Sequence, residues 1–177
     1  MAVNDLLVRI DLQTINPSFL ERIREMLEAC RAAGFDYFAI SGYRSAAEQD
    51  ELYAQGRTKP GNIVTNSQGF QSAHNFGIAL DFARDKDTSR AGLQPGWDAP
   101  DYDVLGREAV ARGLIWGGNF TKLKDRPHVQ MAGYVTGSEL LPLKAAYQGA
   151  VEQGADAKSK DLSRLQAVWK YIEEHPK

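Results

Sequence analysis

The chain has one cysteine, Cys30, among 177 residues. No intrachain disulfide and no multi-cysteine metal site can hold it together, so its fold must rest on an apolar core. A chain of this length buries roughly 70% of the surface its unfolded form exposes, which is enough for such a core. Apolar residues make up 43% and charged residues 25%, ordinary globular values that exclude a disordered or low-complexity chain. At about 150 residues per domain, one domain with a short appendage is expected. Lys and Arg number 21 against 23 Asp and Glu, a formal charge of −2. Without a basic surplus, nucleic acid is not an expected partner. The opening residues carry Asp5 and Asp11 and no long apolar run, which is not a signal-peptide pattern. The longest charge-free stretch, Pro60 to Leu80, is rich in Asn, Gln, Ser and Gly and does not read as a membrane span. The expectation is a soluble monomer made in the cytoplasm.

Asn16 and Pro17 read as the cap and first position of a helix. Phe19, Ile23, Met26, Leu27 and Cys30 follow at helical spacing, and Gly34 is a natural stop. Cys30 on that stripe reads as a small buried hydrophobe. Phe35 to Ser41 reads as a strand. Ser45 and Glu48 form a capping box, which predicts a helix to about Gln55. From Arg57 to Ala73 no period holds, and an irregular stretch this long inside a domain is usually functional. Gly77 to Phe82 reads as a strand, and Asp85 to Pro100 as a second irregular, acidic stretch. Asp101 is the expected cap of a helix with Leu105, Ala109 and Val110 facing inward and Gly113 at its end. Leu114 to Trp116 and His128 to Met131 are short strand candidates. Ser138 to Tyr147 reads as a helix, Gly149 to Ser159 as a linker, and Asp161 as the cap of a last helix. That helix is too small to be a domain, so it should dock on the core or on a partner.

Of the three histidines, His175 is near the C-terminus and reads as a solvated surface residue. His74 and His128 stand at the edges of irregular segments, each followed or preceded by a carboxylate. A catalytic zinc takes three protein ligands, commonly imidazole and carboxylate, and keeps a position open. His74, Asp81 and His128 could supply that set. Strand positions seven apart face opposite ways, so His74 and Asp81 converge only if His74 lies in a loop and Gly77 lets the chain bend. The spacing permits this and equally permits two hydrogen-bonded histidines at strand ends.

The blocks Ser41-Gly-Tyr-Arg44-Ser with Glu48-Gln49 and Leu52-Tyr53, Ser72-Ala-His74-Asn-Phe-Gly77-Ile-Ala-Leu-Asp81, Gly113-Leu-Ile-Trp116-Gly-Gly118 and Asp125-Arg-Pro-His128 occur in that order. Together they resemble the zinc peptidases of the D-Ala-D-Ala carboxypeptidase (VanY-like) family, and within it the phage endolysins with L-alanyl-D-glutamate endopeptidase activity. The likeness spans roughly Leu20 to Val135. It implies an α+β fold of hedgehog/DD-peptidase type, with helices flanking a small antiparallel sheet that carries the site on one face. It implies Zn2+ held by His74, Asp81 and His128, with Asp125 as general base. It implies that Arg44 faces a substrate carbonyl or carboxylate and that Ser72 helps the loop or the substrate. Residues 1–135 are then the peptidase domain and 136–177 a C-terminal helical extension, too short for a usual wall-binding domain.

The implied substrate is the peptidoglycan stem peptide, cut between L-Ala and D-Glu after the enzyme has left the cytoplasm, as in host lysis. Three other readings stay open. A D-Ala-D-Ala carboxypeptidase or dipeptidase of the same family would use the same residues. An Fe(II) oxygenase also uses two His and one carboxylate. A non-catalytic wall-binding module would keep a structural zinc, although such sites normally close with four protein ligands. Tyr43 and Trp116 read as core more than as a substrate platform.

Overall fold

Asn16 begins the first helix as expected: its Oδ1 accepts from Phe19 N at 3.0 Å, and Pro17 occupies the first helical turn. Helix α1 (Pro17–Ala32) buries Phe19, Leu20, Ile23, Met26, Leu27 and Cys30. Each large apolar side chain on that stripe contributes roughly 1.5–3 kcal/mol by leaving water. Burial pushes the Cys30 thiol up to about 12, with Glu108 adding to the effect, so the cysteine is a packing residue. This computed structural model describes residues 2–177 apart from Thr88, Ala91, Thr136 and Ala155. The chain forms two units, Met1–Gly42 with Ala79–Ala132, and Tyr43–Ile78 with Gly133–Lys177.

The first unit holds the sheet. Its strands are β1 (Asp36–Ser41), β2 (Ala79–Asp85), β3 (Pro95–Gly96), β4 (Leu114–Trp116) and β5 (His128–Met131). They run in the order β1-β2-β5-β4, with β3 added to β2, and every pairing is antiparallel. Helix α1 packs against β1 and against α3 (Asp103–Ala111). The mixed α+β class with a small antiparallel sheet is the expected one. Two details differ. The residue before α3 is Tyr102, with no side-chain cap, because a short 3₁₀ turn (Ala99–Tyr102) precedes it. Asp101 is engaged elsewhere: its carboxylate pairs with Arg84 and its carbonyl accepts from the Tyr37 hydroxyl. Val110, expected inside, is 52% exposed, and Gly106 takes the inward position together with Leu105 and Ala109.

The second unit is largely helical: α2 (Ala46–Ala54), α4 (Gly137–Gly149) and α5 (Ala157–Glu174). The capping box of α2 is complete, with Ser45 N donating to Glu48 Oε2 at 2.8 Å and Glu48 N to Ser45 Oγ at 3.2 Å. The irregular stretch after it is ordered by side chains: Gln49 Nε2 reaches Ser67 O at 2.7 Å and Arg57 Nη1 reaches Thr65 O at 3.0 Å. Asp156, not Asp161, caps α5, accepting from Ser159 N at 2.9 Å. Asp161 lies inside the helix and accepts from the Tyr147 hydroxyl at 2.8 Å. The last helix docks within its own unit, where buried Trp169 Nε1 donates to Phe76 O at 2.9 Å. His175 is exposed, as expected. Among the described residues no helix is long and apolar enough to cross a membrane. Thr136, the first residue of the expected extension, lies outside the described residues.

Candidate metal centre

Register places two of the expected ligands. Asp81 on β2 stands directly opposite Ser41 on β1 and His128 on β5. Directly opposed residues of an antiparallel pair share a face with their Cβ atoms about 5 Å apart. The Asp81 carboxylate and the His128 ring therefore meet, with Oδ1 to Nδ1 at 2.9 Å. Pro127 adds a second tie, its carbonyl accepting from Phe82 N at 3.0 Å. The other ring nitrogen, Nε2, lies 2.8 Å from Gln130 Oε1. His128 is 7% exposed. Burial pulls its pKa down, but the hydrogen bond and charge of Asp81, with Gln130 and Asp125, outweigh that and hold it above its ordinary value.

His74 is not on the sheet, contrary to the expectation that one sheet face carries all three ligands. It lies in a 3₁₀ turn (Ala73–Phe76) that precedes β2. Ser72 caps that turn, its Oγ accepting from His74 N at 3.4 Å, and Asn75 Oδ1 accepts from Ser72 N at 3.3 Å. Gly77 ends the turn at φ +66°, a left-handed conformation in which a side chain would be strained. The bend that the seven-residue spacing required is thus present. One donor atom each from His74, Asp81 and His128 lies within 4.8 Å of the others. Both imidazoles are buried and the carboxylate is partly so. This is a donor set suited to a divalent transition metal, with three protein ligands.

Arg44 is held beside the His74 turn by the backbone. Its N donates to His74 O at 3.2 Å, and its own carbonyl accepts from Asn75 Nδ2 at 2.8 Å. Its guanidinium donates from Nη1 to Gln49 Oε1 at 2.8 Å, and Gln49 is wholly buried. Asp125 is exposed at the turn leading into β5. Its N donates to Gly117 O at 3.0 Å, and its carbonyl accepts from His128 N at 3.2 Å. Gly117 is required there, because a Cβ would collide with the Asp125 carbonyl. Trp116 closes the same turn by donating from Nε1 to Arg126 O at 2.7 Å. The indole is only partly buried and serves this structural bond.

Residues 12–129 match the family model for VanY, D-alanyl-D-alanine carboxypeptidase. The chain belongs to the VanY family. It is 39% identical over 141 residues to the peptidoglycan L-alanyl-D-glutamate endopeptidase CwlK of Bacillus subtilis (strain 168), a match that covers 73% of this chain and 79% of that protein. Its fold is similar to that of the L-Ala D-Glu endopeptidase ChiX of Serratia marcescens, with a TM-score of 0.50, 29% identity, and coverage of 69% of this chain and 84% of that one. A vancomycin-resistance D,D-pentapeptidase VanY solved with Zn(II) is similar at a TM-score of 0.50 and 17% identity, covering 74% of this chain and 78% of that one, and shows the fold. The VanY-family match ends before α4 and α5, so both helices lie beyond it.

Two residues of this VanY-family chain escaped the sequence reading. Asn75 is 1% exposed and bonds the carbonyls of Arg44 and Ser45. Gln130 is 5% exposed and bonds His128. Asn75 carried a local signal only for its capping bond with Ser72 three residues before it; the carbonyls of Arg44 and Ser45 lie about thirty residues away in sequence. Gln130 carried a signal of its own: a polar residue two positions after a histidine in a strand shares that histidine's face.

Proposed function

We infer that this chain is a zinc-dependent peptidoglycan hydrolase that cuts the stem peptide between L-Ala and D-Glu. The observation that carries the reading is the clustering of His74, Asp81 and His128 donor atoms within 4.8 Å, in a chain 39% identical to an endopeptidase of that specificity. Two imidazoles and a carboxylate fit a catalytic zinc, which keeps a position for water and substrate. His74, Asp81 and His128 would hold the zinc, which would acidify a water and polarise the scissile carbonyl near neutral pH. Asp125, three residues before His128, takes the proton from the attacking water and delivers it to the leaving amine nitrogen. Arg44 donates to the carbonyl oxygen as negative charge develops there. Ser72 holds the His74 turn in shape. The same donor set occurs in Fe(II) oxygenases, but a carboxylate three residues before a ligand serves hydrolysis.

The reading assigns the peptidase domain to residues 1–135 and leaves 136–177 as a helical extension. It takes the enzyme as a monomer of the endolysin type, released onto the bacterial wall, in keeping with the Ser41 to Tyr53 block. The test is metal removal. The purified chain should carry one zinc, lose hydrolysis of peptidoglycan on dialysis against a chelator, and regain it on adding stoichiometric zinc. Full activity in the metal-stripped chain would overturn the reading.

A further inference from the structure

Gln130 follows His128 by two positions on β5 and so faces the same way. It is 5% exposed, and its Oε1 lies 2.8 Å from His128 Nε2. On the other side of the ring, Nδ1 lies 2.9 Å from Asp81 Oδ1. A neutral imidazole carries one proton on one of its two nitrogens. Nδ1 is the nitrogen that faces Asp81, so a metal shared by Asp81 and His128 needs the lone pair of Nδ1. The proton then belongs on Nε2, where Gln130 Oε1 is placed to accept it. Ligating histidines depend on such an acceptor for their tautomer, ring orientation and basicity. We propose that Gln130 is a positioning residue that fixes His128 as its Nε2–H tautomer and presents Nδ1 to the metal. This rests on the metal reading above.

The side-chain amide has an acceptor and a donor end, and only the acceptor end serves this role. Substitution separates the two. Gln130→Glu presents oxygen alone, whereas Gln130→Leu keeps similar bulk and presents neither. Zinc affinity is read by competition with a chromophoric chelator on the full chain, with circular dichroism as the check on folding. Gln130→Leu should bind zinc about 10- to 100-fold more weakly. Gln130→Glu should bind as tightly as the wild type or more tightly. Nitrogen-15 NMR of the zinc-loaded wild type, which needs no variant to fold, should show His128 protonated at Nε2 and metal-bound at Nδ1. A folded Gln130→Leu with wild-type affinity would overturn the proposal, as would a folded Gln130→Glu as weak as the leucine variant, or metal on Nε2. A wild-type chain that binds no zinc would overturn the metal reading as well, and is distinguishable because the loss appears before any substitution.

Discussion

Asp125 owes its position to the backbone. Its amide is tied to Gly117 and its carbonyl to His128 N, so the carboxylate stands on a turn anchored at both ends. Asp125→Ala should keep the fold and one zinc per chain while losing about 10²- to 10⁴-fold in turnover, the usual cost of removing a general base. Zinc content by elemental analysis and initial rates on peptidoglycan check this, and near-wild-type turnover, or loss of zinc, would count against the role. At this scale the sequence was most legible where a residue acts through its own chemistry. His74, Asp81 and His128 are ligand types at family-like spacing, and the structure brings their donor atoms together. It was least legible where a residue acts through another. The bonds from Asn75 to the carbonyls of Arg44 and Ser45 could be found only once the fold had placed those partners.

Elements were legible where a local device decides them and misread where tertiary partners compete for that device. Helix α2 begins at Ser45 because both arms of its capping box close within four residues. Helix α5 is capped by Asp156, ahead of the expected Asp161. Asp156 took the cap because Ser159 answers it locally, and Asp161 was drawn to the Tyr147 hydroxyl of α4. Asp101 likewise went to Arg84 and Tyr37 instead of capping α3. Helices α4 and α5 have a definite job inside their unit. Tyr147 bonds Tyr43, the neighbour of Arg44, at 3.1 Å, and packs on Phe70 with ring centroids 5.3 Å apart. Trp169 holds the Phe76 carbonyl at the end of the His74 turn. Trp169→Phe would leave that buried carbonyl without its indole donor, at a cost of about 1–3 kcal/mol. Denaturant unfolding should show that loss as a lower midpoint at unchanged slope. An unchanged midpoint would mean that the contact between the last helix and the His74 turn contributes nothing.

For the whole molecule, the question is where the stem peptide is cut. The family model carries the name of a carboxypeptidase, whereas CwlK, at 39% identity, and ChiX, at 29%, are endopeptidases. On the proposed reading His74, Asp81 and His128 would hold the metal and Asp125 would serve as acid–base for either activity. The two activities differ in the bond presented to that metal. Arg44 can serve either, since a guanidinium receives a developing oxyanion and a terminal carboxylate equally well. The products separate them. Purified peptidoglycan is digested with the zinc-loaded enzyme, and newly freed amino groups are identified by labelling and mass spectrometry. The account predicts free amino groups on D-Glu, with L-Ala left on the glycan side. Release of terminal D-Ala alone, with no new amino group on D-Glu, would contradict it.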